Sequence, residues 1–326
     1  MTQHRRLGTA VLSAAFALTL VSPAGAADVP KLLPDDTGAV ITINVRQVLD
    51  SNLVKKYALD LIKQALKDQA DAQKVMAALG LDPLKDIDQV VIAAPDLSET
   101  DKGLIIVSGR FDPAKIKAAA ADAVKQHPDQ IKVHKVGTQD VYEVKVPDQP
   151  EPVFVAVADK NTLVAAPNKQ YLADALDKAA GTKQTVLKNK EMAALLKQVD
   201  GKQGLWVAVG GSALEKGLPP GVDDNVKKFL QQLDAIAGGL LVNDDIKAQF
   251  VIGAKNPQAA KDLHKTITEG INQGLGVLAI LAANQKELAP LVDVVKSIKT
   301  SSKDKSVVIT GSVPAEVIEK LLKMGQ

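Results

Sequence analysis

The sequence predicts an α+β fold of two related modules, with antiparallel or mixed sheets and helices packed mainly on one face. Three observations carry this. Strand-like segments come as hairpins and not in strict β-α-β alternation. Helix starts of one kind, Asp112-Pro113 and Asn256-Pro257, recur at a distance. The stretches around them, DKGLIIVSGRFDPAKIKAAAADA and DIKAQFVIGAKNPQAAKDLHKT, both run strand, small residue, capped proline helix and Lys-Ala face. That is the pattern of an internal duplication. The rival reading is ordinary capping grammar used twice.

Taken in order, residues 27–37 form a turn-rich lead-in punctuated by Pro30 and Pro34. Ala39–Val45 reads as a strand, and Gln47–Leu66 as a helix with apolar residues every three or four positions. A second helix is expected from Asp71 to Leu79, ended by Gly80. Strands follow at Gln89–Ala94 and Gly103–Ser108. Asp112-Pro113 opens an alanine-rich helix to Gln126, since Asp caps free N–H groups and Pro suits the first helical position. Two hairpins come next, Ile131–Val136 with Val141–Val146, and Val153–Val157 with Thr162–Ala166. Asn168 then caps a helix to Ala179. The second half repeats the order. A strand at Leu205–Val209 precedes a helix near Val226–Leu233, a strand pair at Ile236–Val242 and Ile246–Ile252, and the Asn256-Pro257 helix. The chain closes with a strand at Ser306–Thr310 and a helix at Ala315–Lys323. The boundary between modules is placed at Asp200-Gly201-Lys202, giving modules at 27–200 and 201–326.

Residues 1–26 read as a secretory leader. His4-Arg5-Arg6 is basic, Leu7–Val21 carries no charge, and Ser22–Ala26 offers small residues for cleavage after Ala26 or Ala27. The apolar run is shorter than the roughly 20 residues of a membrane span. An extracytoplasmic protein, periplasmic or secreted, with no transmembrane span after cleavage is expected.

Composition narrows the function classes. The whole chain has 40 basic and 38 acidic residues. Without Arg5 and Arg6 the two signs balance, which argues against nucleic acid as a partner. There is no cysteine, so thiol nucleophiles, Cys zinc sites and iron–sulfur clusters are excluded.

The segments LLPDDTGAVITINVRQVLDSNLVKKY, LGLDPLKDIDQVVIA and KGLIIVSGRFDPAKI resemble a family of exported, uncharacterised proteins from planctomycete-type bacteria. The resemblance covers Leu32 to Leu176 best. It implies a duplicated α+β extracytoplasmic protein and brings no activity and no functional residue.

No residue set reads as catalytic, cofactor-binding or metal-binding. His127, His134 and His264 lack the spacing of a zinc site and read as surface or helix-end histidines. Gly210-Gly211-Ser212-Ala213 follows a strand but lacks the G-x-S-x-G elbow. The acidic loops Asp96–Asp101 and Asn243–Asp245 read as polar turns and not as calcium loops. Trp206 reads as core. Two features remain as candidate sites. Arg46 and Arg110 each end a first-module strand; brought together they would make a two-fork anion site, and apart they are surface charges. Gly270–Ala283 is an uncharged helix rich in small residues. It reads either as closely packed core or as an apolar face, through Leu275, Val277, Leu278, Ile280 and Leu281, for a protein partner or a small apolar ligand.

These readings point to an exported, non-enzymatic binding or structural protein that needs no cofactor. The alternatives are an extracytoplasmic carrier with an apolar pocket and a hydrolase with a dispersed site.

Overall fold

The computed structural model describes residues 31–69, 76–77, 79–98, 102–145, 151–197, 201–218 and 221–324. The leader expected at residues 1–26 and most of the helix expected at Asp71–Leu79 lie outside the described residues. The fold is α+β. The strands are β1 (Ala39–Ile43), β2 (Ile87–Ala94), β3 (Leu104–Gly109), β4 (Ile131–Val136), β5 (Gln139–Val144), β6 (Val153–Asp159), β7 (Thr162–Ala166), β8 (Leu205–Gly210), β9 (Leu233–Val242), β10 (Ile246–Ala254), β11 (Lys299–Lys303) and β12 (Ser306–Val313). The helices are α1 (Val45–Asp50), α2 (Asn52–Tyr57), α3 (Leu59–Asp68), α4 (Pro83–Asp86), α5 (Pro113–Gln126), α6 (Lys169–Ala179), α7 (Lys190–Leu196), α8 (Gly211–Lys216), α9 (Asp224–Leu230), α10 (Pro257–Asn284), α11 (Ala289–Ser297) and α12 (Ala315–Met324).

All twelve strands join one antiparallel sheet in the order β11-β12-β10-β9-β8-β1-β2-β3-β7-β6-β5-β4. Read outward from the β1–β8 pair, the order is β1-β2-β3-β7-β6 one way and β8-β9-β10-β12-β11 the other. The two halves therefore repeat one topology, and the hairpin β4–β5 is extra. β1 and β8 pair antiparallel with Ile41 opposite Val207, so a pseudo-two-fold axis passes between them. α5 and α10 occupy equivalent places after β3 and β10. Their caps match as well: Asp112 accepts from Ala114 and Lys115 N–H, and Asn256 accepts from Ala259 N–H.

Contacts at the centre also come in matched pairs. The β2–β3 loop reaches the helix after β8, where Asp96 meets Lys216 at 3.1 Å. The β9–β10 turn reaches the helices after β1, where Asn243 C=O accepts from Leu53 N–H at 3.0 Å and Asp244 accepts from Asn52 at 2.7 Å. Both acidic loops thus clasp the opposite half.

Alternation along the strands separates two faces. One carries Val40, Thr42, Val91, Ala93, Leu104, Ile106, Val164, Trp206, Ala208 and Ala237, packed with Leu172, Ala175 and Leu176 of α6 and Met192, Leu195 and Leu196 of α7. This is the main core, and Trp206 lies inside it. On the opposite face, Ile252 and Val307 pack with Ala259, Ala260 and Leu263 of α10. Over the central strands the helices thus lie mainly on one face, while at the β10–β12 end α10 sits on the other.

Gln47–Leu66 is not one helix. Ser51 is extended (φ −64°, ψ 143°) and its hydroxyl caps α2 by accepting from Val54 N–H, and Ala58 interrupts again before α3. α8, α11 and β11 were not expected. The polar sequence of β11, KTSSK, gives no alternating signal.

Candidate functional site: an open apolar sheet face

The second sheet face is covered only in part. In the register, Ile41 pairs with Ile92 on one side and Val207 on the other. Ile92 pairs with Ile105, Ile105 with Ala165, and Val207 with Gly238. One step along, Ile43 pairs with Val90 and Leu205, Val90 with Val107, and Leu205 with Leu240. Residues two apart share a face, so these are two parallel rows without a charge. Ile41, Ile43, Ile92, Ile105 and Leu205 are each 36–40% exposed. Half-exposed branched residues on four adjacent strands form a contiguous patch, which is unusual on a monomer surface. Beyond Val207 the row continues through Gly238 under the ring of Phe250, whose Cδ1 lies 2.1 Å from where a Cβ would stand.

The second apolar surface is the C-terminal half of α10. The buried residues of this helix are Ala259, Ala260 and Leu263, all in its first turns. From Gly270 to Gln285 the chain carries no charge. Val277, Ile280 and Leu281 stand at i, i+3 and i+4, on one helix face, and are 46–68% exposed. Leu275 and Leu278 are half-buried. The core-packing reading of this segment fails, because a Cβ at Gly270, Gly274 or Gly276 would meet nothing within 4 Å. The sequence-derived apolar set therefore divides into an outward ridge of three and an inward pair.

Arg46 and Arg110 do come together, at Asp88, the second residue of β2. Arg46 Nε is 3.2 Å and Arg110 Nη2 3.8 Å from Asp88 Oδ1. Both guanidinium groups also donate to the Lys85 carbonyl, and Arg46 donates to the Leu84 carbonyl at 3.2 Å. Their forks hold α4 against the strands, and Asp88 already occupies the place an incoming anion would take.

The remaining polar candidates serve local structure. His134 lies 2.6 Å from Glu143 across the β4–β5 ladder. His264 lies 3.1 Å from Thr300, tying α10 to β11. His127 is the C-cap of α5. Ser212 sits in the first turn of α8. Among the described residues no group of three or more His, Cys, Asp and Glu could hold a metal ion, and no helix is long and apolar enough to cross a membrane.

A cleft of about 430 Å³ is lined by Lys31, Lys178, Lys183, Gln184, Thr185, Leu187, Ala193 and Lys197. Sequence reasoning missed it. Lys31 is 147 or more positions from Lys178, Lys183 and Lys197, and they meet only because α6 and the 181–189 loop fold over the lead-in. Lys178 is buried and donates to Leu33 C=O at 2.7 Å, Asp35 at 2.7 Å and Asp174 at 2.5 Å. Its three protons are therefore all used. Lys183 bonds to Asp174 and lies 3.4 Å from Asp35, closing a ring of two positive and two negative charges. Burial acts to raise the Asp35 carboxyl, but the hydrogen bond and charge of Lys178, the Val186 N–H and Lys183 together hold it below its ordinary value of 3.8. The ring fastens the lead-in to α6.

Fold and surface together define a duplicated α+β protein, built on a single antiparallel sheet and carrying an uncharged, partly open face. No protein-family model and no curated protein matches the chain. Among solved structures, crystal form I of TP0453 is similar to it with a TM-score of 0.45 and 9% sequence identity, covering 90% of this chain and 96% of that one.

Proposed function

We propose that this chain is an exported, non-enzymatic binding protein, related to the planctomycete-type family it resembles, and that it acts through the open apolar face of its sheet. One observation carries the reading. Strands such as Val90–Ala94 and Leu104–Val107 are apolar on both sides, which is the pattern of a sheet covered on both faces, yet on the second face of β1 and β8 only the Ala39–Val209 end is buried, against Ala213 of α8, and the rows through Ile41 and Ile43 stay open. A flat apolar surface suits a macromolecular partner better than an enclosed small molecule. The basic leader and its apolar run support export, and the absence of any charge in the rows supports binding by area and not by steering.

The test is capture from the extracytoplasmic fraction by the immobilised chain, alongside its Ile92→Glu variant. The reading expects a bound species that the variant loses at least tenfold while keeping its fold. Equal recovery on both would remove the open face from the account. A small apolar molecule carried through purification would favour the carrier alternative.

A further inference from the structure

We infer that the cleft between the lead-in, α6 and α7 is a binding site for a small organic anion that carries more than one negative charge on phosphate or carboxylate oxygens. The inference stands apart from the open sheet face and uses none of its residues.

Unbalanced charge around a cavity carries it. The cleft is lined by Lys31, Lys178, Lys183 and Lys197. Only Lys178 and Lys183 meet counter-charges, those of Asp35 and Asp174. Four ammonium groups against two carboxylates leave two positive charges in excess. Lys31 and Lys197 are exposed, and neither meets a carboxylate among the described residues. Gathering like charges costs free energy. The ring that fastens the lead-in to α6 is complete without these two lysines, so their place on the cleft adds nothing to it. An anion seated between them would offset their repulsion.

The cleft is also held in shape. Lys188 N–H donates to the Asp35 carbonyl at 2.7 Å, the Thr185 hydroxyl donates to the Lys31 carbonyl, and Val186 N–H reaches Asp35 Oδ1 at 3.5 Å. These ties fix the 181–189 loop on the lead-in before a ligand arrives, which lowers the ordering cost of binding. The volume, about 430 Å³, lies within the range of about 300–1,000 Å³ that suits organic ligands and exceeds what a lone phosphate or sulfate would fill. Leu187 and Ala193, both half-buried, add an apolar patch to the wall. The ligand therefore has a carbon body as well as charge. Lysine acts as a point charge without the fork of arginine, so a phosphate ester and a polycarboxylate fit the same site.

Isothermal titration of the full chain with citrate, glucose 6-phosphate and inorganic phosphate at about 20 mM salt tests this. At least one of the two organic anions should bind with a dissociation constant below about 1 mM, and more tightly than inorganic phosphate. Preference for citrate would name carboxylates as the source of the charge, and preference for glucose 6-phosphate a phosphate ester. Raising the salt to about 200 mM should weaken binding several-fold, because exposed charges are screened. Lys31→Met and Lys197→Met keep an apolar stem. Each should weaken binding about threefold and the pair about tenfold, with circular dichroism unchanged. Lys132→Met on the edge strand β4 and Ile92→Glu on the open face should bind as the wild type does. If Lys31→Met disturbs the lead-in, Lys197→Met decides alone, since Lys197 lies outside the ring. The inference is overturned if neither organic anion binds below about 1 mM, or if inorganic phosphate binds as tightly as both. It is equally overturned if the double lysine variant binds like the wild type, or if Ile92→Glu abolishes binding and so moves it to the sheet face.

Discussion

At the scale of single residues, Lys178 is the most consequential charge. Its side chain is 1% exposed, and its partners join the lead-in to α6. Replacing it with Met leaves two carboxylates sharing Lys183 and should cost about 3 kcal/mol, read by urea unfolding. Asp35 gives this network a pH signature. Its folded pKa lies below 3.8, so its contribution is complete above the unfolded value and disappears as pH falls through the folded one. Melting temperature should therefore decline below about pH 4, and Asp35→Asn should flatten that part of the decline. Two glycines separate structural need from its absence. Gly238→Ala would drive a Cβ into Phe250 and the Gln249 carbonyl, at 2.1 and 2.8 Å, costing about 1–3 kcal/mol. Gly274→Ala meets nothing within 4 Å and should stabilise by up to about 1 kcal/mol through helix propensity. Paired thermal melts would check both signs.

At the scale of elements, capping carried most of what the sequence could tell. Asp112, Asn168 and Asn256 each accept the N–H bonds their positions imply, because a short polar side chain before a helix has few better partners. Removing either member of the matched pair, Asp112→Ala or Asn256→Ala, should cost about 1 kcal/mol each, measured by chemical denaturation. Where periodicity misleads, a local interaction competes with it. Gln47–Leu66 keeps helical spacing, yet the Ser51 hydroxyl satisfies Val54 N–H and restarts the chain as α2. The open face was only half legible. Alternation in Val40 to Ile43 shows two sides, and the more apolar one, Ile41 and Ile43, is the one left open, while Val40 and Thr42 are buried, because the choice depends on where α6 and α7 land. The arginine pair was legible as a juxtaposition. Its acceptors were not: Asp88 lies 42 residues from Arg46 and 22 from Arg110 and meets them only through strand pairing, and the Leu84 and Lys85 carbonyls of α4 leave no sequence trace. The lysine cleft left none either.

At the scale of the whole molecule, two half-chains with one strand order share a single sheet, and the β1–β8 pair is where they meet. The repeated Asp/Asn-Pro helices are the trace of this topology in the sequence, because each caps the same helix of its half. The exchange of loops, β2–β3 onto α8 and β9–β10 onto α1 and α2, leaves no such trace, since it joins residues well over a hundred positions apart. Its consequence is that neither half's centre is complete without the other, so cavity-forming changes at the seam, such as Val40→Ala opposite Ala208, should lower one cooperative transition and not split it in two. A single calorimetric peak would show that. The halves differ in this element: α5 has 14 residues and α10 has 28, and the added length is the uncharged ridge.

The most direct measurement of the central claim is photo-crosslinking in the cell from a reactive residue placed at Ile92, with the β6–β7 turn residue Lys160 as control. The account predicts an adduct at Ile92 that is absent at Lys160. Equal labelling at both positions, or none at Ile92, would contradict the open face as the place where this protein binds.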